Sequence, residues 1–326
     1  MMDLHCGAVF MLLVVLSLLV ESGRSVLATS EQAHVSRECA RATAPHAVEH
    51  GGSETIFGIM ITGKDVHREA LAQLAADAFH NQTYPSKVLI IVNTGNFTLN
   101  PHPCQHEIRA SADLKLGTLR NMGISAVPTN ATWVQWDDDD WRPKHALQSQ
   151  YHCMTQAHAL GCVLERQWQV ALHQNSTFLK RMRPGIMGTL MLRATPATKE
   201  LRYPQLARQE DSLFLRDVRE VGTVHICDNH PDWYFRLLHG HNTWGAAHFH
   251  LDLVDDNTWC GTEPLPPSAV HQPLPPRQAR LRVIQQHRQR RAVESFCDAN
   301  TTAHTRHVFQ LYQHQTLPTS ANHAAL

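Results

Sequence analysis

Val134-Gln135-Trp136-Asp137-Asp138-Asp139-Asp140-Trp141 is a short apolar strand that runs straight into four carboxylates. In open α/β sheets, ligands collect at the carboxyl ends of the strands. If the extended geometry persists, Asp137 and Asp139 project to one face and Asp138 and Asp140 to the other. Two carboxylates on one side suit a hard divalent cation, and that cation suits a diphosphate. The competing reading of an acidic run is a solvated turn. The flanking indoles weigh against it, because four like charges held between Trp136 and Trp141 are not a plain surface loop.

Outward from this stretch the chain alternates. Thr55 to Thr62 reads as a buried strand ending at Gly63, and Val66 to Phe79 as a helix with Ala70, Leu71, Leu74, Ala75 and Ala78 at helical spacing. Lys87 to Asn93 is a second strand, apolar on both faces. Continuous apolar strands separated by a helix indicate a parallel sheet covered on both sides. Helices are predicted over Lys115–Ala126, Pro143–Leu160 and Gln209–Val221, and strands over Thr132–Trp136, near Cys162–Val170, over Ile186–Arg193 and over Thr223–Cys227. The alternation stops after Gly261, where Pro264, Pro266, Pro267, Pro273, Pro275 and Pro276 mark an extended linker before an Arg/Gln-rich segment, Gln278 to Val293.

The ends read differently from the middle. Gly7 to Val20 is an apolar run broken only by Ser17, shorter than a comfortable bilayer span. It suits a signal peptide over residues 1–28, with small residues near Val26-Leu27-Ala28, or a short signal anchor that associates the chain with a membrane. Residues 29–53 are polar and aperiodic and read as a stem, 54–260 as one catalytic domain, and 261–326 as a largely disordered tail. Asn-x-Ser/Thr acceptors at Asn81, Asn96, Asn130, Asn175 and Asn300 agree with passage through the secretory route. The 8 cysteines include no C-x-x-C pair, which speaks against a zinc ribbon or a thioredoxin-like motif. Losing Cys6 with the signal leaves an odd number, so one thiol stays unpaired or bonds elsewhere. The 29 basic and 29 acidic side chains cancel, which excludes a polybasic nucleic-acid binder.

Three further constellations are candidates for chemistry. Glu210-Asp211 opens a predicted helix, where carboxylates are favoured by the helix dipole; the alternative to helix capping is a general base for an acceptor hydroxyl. Arg120-Asn121, before Gly123, reads either as helix surface or as a contact to a nucleotide or diphosphate. His239-Gly240-His241 through His248 and His250 is a dense imidazole cluster in a chain with 24 histidines. His241 or His248 is the candidate metal ligand within it.

Read in order, these segments resemble a family-2-type glycosyltransferase of the GT-A fold. Ile59-Met60-Ile61-Thr62 looks like the start of the nucleotide-binding half, and Asn81-Gln82-Thr83-Tyr84-Pro85 before Val88-Leu89-Ile90-Ile91-Val92 looks like the family's Q-T-Y-P and following strand. Leu119-Arg120-Asn121-Met122-Gly123-Ile124 resembles its R-N-x-G-I helix, Asp137 to Asp140 its D-x-D-D region, and Gln209-Glu210-Asp211 its E-D motif. The resemblance covers roughly residues 55–250 and implies a Rossmann-like, mixed, mostly parallel sheet flanked by helices in a single catalytic domain. It further implies a nucleotide-sugar donor, most often a UDP-sugar, a carbohydrate or glycoconjugate acceptor, and a Mn2+ or Mg2+ cofactor. On it, Thr62, Asn93, Arg120 and Asp137 contact the nucleotide, Asp139, Asp137 and His241 hold the metal, and Asp211, with Glu210 beside it, is the base of an inverting single displacement. One position departs. Many relatives end the second strand with an acidic V-D-D-G-S, whereas Val92-Asn93-Thr94-Gly95-Asn96 has no carboxylate. The Q-x-x-R-W of processive synthases is also missing after the E-D pair, which favours a single-addition enzyme.

Two other classes compete. A nucleotidyltransferase would want a glycine-rich basic loop after the first strand, and Thr62-Gly63-Lys64-Asp65 is too sparse for one. An inactive GT-A domain, or a histidine-rich secreted metal-binding module, is kept in view by Asn93.

Overall fold

The computed structural model describes residues 39, 54–63, 68–171, 176–239, 242 and 258–259. The apolar run 7–20, the 29–53 stem apart from Cys39, the 261–326 tail, and His241, His248 and His250 lie outside the described residues. β1 (Ile56–Thr62) is the axis of the sheet. It pairs in parallel with β2 (Lys87–Asn93) on one side and β4 (Thr132–Gln135) on the other, and β3 (Gln105–Arg109) extends the parallel half beyond β2. β7 (Ser176–Arg193) then joins β4 antiparallel and forms a long hairpin with β6 (Gly161–Ala171). β9 (Phe235–Leu238) and β5 (Asp140–Trp141) complete the order β3-β2-β1-β4-β7-β6-β9-β5, while β8 (Val224–Cys227) runs beside β6 and β10 (Thr258–Trp259) beside β7. The sheet is mixed and mostly parallel, flanked by helices, as the resemblance implied.

The continuous apolar strands are explained by two cores, one on each face. Ile56 and Met60 of β1 and Leu89 and Ile91 of β2 join Ala72, Ala75, Ala76 and Phe79 of α1 (Arg68–His80) and Leu147 and Met154 of α3 (Ala146–Gln156). The alternate residues Phe57, Ile59, Val88 and Ile90 face Ile124 of α2 (Leu116–Ser125) and Phe214, Leu215 and Val218 of α5 (Glu210–Val221). A short helix, α4 (Pro196–Glu200), precedes α5. Burying a side chain such as Phe79, which is fully covered, contributes about 1.5–3 kcal/mol.

Several motif residues serve this packing rather than the site. A β-carbon on Gly123 would lie 2.4 Å from Ile59 Cγ2, so only glycine lets α2 approach β1 this closely. Asn121 clamps the chain before α5: its Nδ2 donates to the Tyr203 carbonyl at 2.9 Å and its Oδ1 accepts from the Tyr203 N–H at 2.8 Å. Gln82 ties α1 to α3, donating to the Pro143 carbonyl at 2.9 Å and accepting from the Leu147 N–H at 2.9 Å.

The structure differs from the sequence reading in four places. β3 and β9 were not expected, since β3 is short and mostly polar and β9 is only four residues long. β7 begins ten residues before Ile186, at Ser176, because the polar stretch around Lys180 and Arg181 is paired along β6 at Gln167 and Arg166. α3 is shorter than Pro143–Leu160: it stops at Gln156, and His158 is left-handed at φ 50°. The aspartates do not continue as an extended strand. Asp138 and Asp139 form a turn, and Asp140 starts β5, paired with Arg236.

Disulfides join Cys39 to Cys104 and Cys153 to Cys227. Cys162 is a free, buried thiol, and burial pushes its pKa up to about 12, so it is unreactive. Asn81, Asn96 and Asn130 are exposed. Among the described residues no helix is long and apolar enough to cross a membrane.

At the end of α1, His80 stacks on His102 with ring centroids 3.6 Å apart. Its Nε2 lies 3.1 Å from Gln105 Oε1, which can only accept, so Nε2 carries the hydrogen and the buried Nδ1 has no hydrogen-bond partner among the described residues. Burial pushes the His80 pKa down to about 4. The unfolded chain takes up this proton near pH 6.5 and the folded one resists it, so stability falls as pH drops from about 6.5 towards 4. The raised pKa values of Asp138 and Asp140 act the opposite way in both proteins, so the difference is the test: the urea midpoint of wild type is expected to lose ground to that of His80→Gln as pH falls across that window. An unchanged difference would show that His80 takes no part in the pH dependence.

Candidate functional site

A cavity of about 480 Å³ opens at the carboxyl ends of β1 and β4, within the usual range of roughly 300–1,000 Å³ for small-molecule sites. The strand–turn junction brings Gln135, Asp137, Asp138 and Asp139 to its floor, and the first turn of α5 brings Glu210 and Asp211 to the facing wall. Thr62 ends β1 at its edge.

Each carboxylate has a distinct environment. Thr62 Oγ1 donates to Asp138 Oδ2 at 2.7 Å, and Arg68 Nη1 donates to Asp138 Oδ1 at 2.6 Å and to Asp139 Oδ2 at 2.9 Å. Burial, with the neighbouring Asp139 charge, pushes the Asp138 pKa up to about 6 against the pull of Arg68. Asp139 is also largely covered, yet Arg68 and the His239 hydrogen bond hold its carboxyl well below the usual carboxylate range. His239 Nε2 lies 3.1 Å from Asp139 Oδ2, and Asn242 Nδ2 donates to the same oxygen at 3.3 Å. Asp140 turns away from the cavity. It accepts from Tyr234 Oη and, at 3.2 Å, from the Leu237 N–H, and burial together with Asp139 pushes its pKa up to about 8. With Asp140 paired inward, the run does not crowd four carboxylates onto one face. Behind it, the Arg142 guanidinium sits between Trp136 and Tyr234, 4.7 and 4.8 Å from the ring centres.

Of the three aspartates of this run that line the cavity, Asp137 is the most open, with a side chain 24% exposed against 8% for Asp138 and 15% for Asp139. Gln135 Nε2 donates to its Oδ1 at 3.1 Å, and Arg120 Nη2 stands 3.7 Å from the same atom. Gln135 Oε1 is buried without a hydrogen-bond partner among the described residues, on a side chain that lines the cavity. A buried acceptor in that position is costly unless something donates to it. Across the cavity, Arg120 Nε pairs with Glu210 Oε1 at 3.1 Å. Glu210 is only 3% exposed and burial raises its pKa, so it is spent on positioning Arg120. Asp211 is half-buried, lines the cavity, and accepts from the Ser212 N–H at 2.7 Å with one oxygen. Gln209, just before this pair, is left-handed at φ 63°, a conformation that turns the chain sharply into α5.

The structure thus brings Thr62, Arg120, Asp137, Asp139, Glu210 and Asp211 to one cavity. Asn93 is not at it. It is 1% exposed, its amide donates to Glu107 Oε1 and the Phe97 carbonyl at 2.9 Å each, and its oxygen accepts from the Gly95 N–H, so it holds the turn after β2. His241 lies outside the described residues, and the imidazole at Asp139 belongs to its near neighbour His239. Sequence reasoning also missed Arg68, Lys115, Arg208 and Arg236. Arg68 carried a readable signal, as the first residue of a helix that follows the β1 end. Arg236 carried none, because it arrives through the unpredicted β9.

Asp137, Asp138, Asp139, Glu210 and Asp211 face Arg68, Lys115, Arg120, Arg208 and Arg236, so among the described residues the lining is balanced at five acids and five bases. Carboxylates backed by guanidinium groups in a partly enclosed cleft suit a ligand with a diphosphate and several hydroxyls. Asp137 and Asp139 offer carboxylate oxygens with the chemistry of a divalent cation such as Mn2+, while His239 Nε2 gives its hydrogen to Asp139 Oδ2. The residues fit that ion, with Arg68 already on one of the oxygens.

No family model matches the sequence, and no curated protein matches it either. Solved structures are similar in part. The S. aureus TarS 1–349 structure in complex with UDP-GlcNAc superposes with a TM-score of 0.46 at 14% identity, covering 58% of this chain and 60% of that one. The same protein in complex with UDP gives 0.45 at 14% identity over 56% and 60%. The mannosyltransferase PcManGT from Pyrobaculum calidifontis, in complex with GDP-Man and Mn2+, gives 0.44 at 12% identity over 71% of this chain and 72% of that one. The chain spans about three-fifths of the TarS 1–349 chains it matches.

Proposed function

We propose that this chain is a GT-A-type glycosyltransferase that moves a sugar from a nucleotide-sugar, of the UDP class, to a hydroxyl of a carbohydrate or glycoconjugate. The observation that carries the reading is the cavity at the ends of β1 and β4, where Asp137 to Asp139 and Arg120 face the Glu210-Asp211 turn. A nucleoside diphosphate fits with its base and ribose towards Thr62 and Asp137 and its phosphates towards Arg120, Lys115 and Arg236. Gln135 Oε1 is a ready acceptor for a ligand hydroxyl or N–H. Asp211 takes the proton of the acceptor hydroxyl as that oxygen attacks the anomeric carbon; the bond from that carbon to the diphosphate breaks on the opposite side, and configuration inverts. Glu210 holds Arg120 where negative charge grows on the departing diphosphate. A divalent cation held through Asp139 would supply further positive charge to that leaving group.

The test is a melting curve with UDP, GDP and their sugars, followed by a donor-hydrolysis screen. A ligand at a hundredfold excess over its Kd adds about 2.7 kcal/mol, or roughly 5–10 °C in a domain of this size. No shift with any nucleoside diphosphate would overturn the proposal. A second reading, a domain that binds the donor without transferring it, is favoured by one observation, the internal engagement of Asn93. It predicts the same shift with no hydrolysis or transfer.

We also propose passage through the secretory route. Two disulfides suit an oxidising compartment, and the three described acceptor asparagines are exposed. Chain made in eukaryotic secretory cells is expected to drop in apparent mass on endoglycosidase treatment; an unchanged mass would argue for another compartment.

A further inference from the structure

Arg68 stands where a bound cation would stand. It is the first residue of α1, and a single guanidinium nitrogen, Nη1, reaches Asp138 Oδ1 at 2.6 Å and Asp139 Oδ2 at 2.9 Å, bridging two successive carboxylates. Asp139 Oδ2 also meets His239 Nε2 at 3.1 Å and Asn242 Nδ2 at 3.3 Å. A carboxylate oxygen has two lone pairs, so three donors already exceed its capacity, and a metal ion can use that atom only by displacing one of them. His239 is 3% exposed, and Asn242 is pinned by its bonds to the Leu237 carbonyl at 2.8 Å and the His239 N–H at 3.0 Å. Arg68 sets a full positive charge on the two carboxylates, so it is the occupant that a metal ion would replace like for like. Among the described residues five lining acids meet five lining bases, so a guanidinium that withdraws shifts that balance towards negative charge.

Building on the proposed donor site, we infer that Arg68 is a tethered cation that competes with a divalent metal ion for the Asp138–Asp139 pair and so sets how tightly the cavity holds that ion. A metal ion and Arg68 are alternative occupants. The cavity takes up a divalent ion as Arg68 moves off.

The experiment titrates the full chain with Mn2+ alone, without nucleotide, and counts free Mn2+ by electron paramagnetic resonance. Arg68→Gln is expected to bind Mn2+ at least about tenfold more tightly than wild type, or about 1.4 kcal/mol. Arg68→Lys, which keeps the charge, is expected to stay within about threefold of wild type, and adding Asp139→Asn to Arg68→Gln is expected to erase the gain. Equal affinity in wild type and Arg68→Gln overturns the inference, as does an equal gain in Arg68→Lys. If Arg68→Gln does not fold, the wild-type protein decides: saturating Mn2+ is expected to speed phenylglyoxal labelling of Arg68 severalfold, and unchanged or slower labelling overturns the inference. UDP melting shifts run beside it on metal-free wild type and Arg68→Gln separate the two claims. Loss of the shift in both sinks the donor site, while the Mn2+ comparison still judges Arg68.

Discussion

Asp211→Asn is expected to keep its nucleoside diphosphate affinity and to transfer sugar about a hundredfold to ten-thousandfold more slowly, the usual worth of a positioned general base. Of the two acids at this turn only Asp211 is open to the cavity. Glu210 is 3% exposed and committed to Arg120 at 3.1 Å, so it cannot also accept a proton from an acceptor without giving up that pair. The substitution keeps the shape of the side chain and its contact to the Ser212 N–H, since an amide oxygen accepts as the carboxylate oxygen does. Single-turnover transfer with a fixed donor, beside UDP melting shifts, separates binding from chemistry. Normal turnover in this variant would remove Asp211 from the mechanism; loss of both binding and turnover would make it a donor ligand instead.

The second large effect is on stability. Arg120→Met is expected to cost about 3–5 kcal/mol, because it leaves the Glu210 carboxylate buried with its counter-charge gone. The guanidinium is 10% exposed and the Glu210 side chain 4%, Nη2 stands 3.7 Å from Asp137, and the group lies 5.7 Å from the Tyr203 ring centre. The double variant Arg120→Met, Glu210→Gln is expected to regain more than half of the loss, since the penalty comes from the stranded charge rather than from lost packing. Urea unfolding of the two singles and the double forms the cycle. A single-variant cost under about 1 kcal/mol would place this pair with ordinary surface ion pairs.

The fold was legible where hydrophobic pattern and pairing coincide. Ile56 to Thr62 and Lys87 to Asn93 are apolar on both faces because alternate residues feed two cores, and that pattern is local. β3 and β9 were illegible because each is a short strand with polar residues, stabilised by a neighbour that the chain reaches only after folding. At the site, the Asp137–Asp140 run and the Glu210-Asp211 pair were visible as clustered charge at element ends. Their division of labour was not. Asp140 turns inward to Tyr234, a partner 94 residues away, and Glu210 is claimed by Arg120 from 90 residues away.

By itself the sequence determined the α/β layering, the strand that delivers the carboxylates, and the segments that meet around them, because side-chain periodicity and charge at strand ends are properties of neighbouring residues. Only the tertiary structure decided which imidazole meets Asp139, that Asn93 serves the turn after β2, and that Arg68 bridges two of the four aspartates. Those outcomes depend on distances of a few ångströms between residues far apart in the chain, and burial by the completed sheet fixes which carboxylates stay charged.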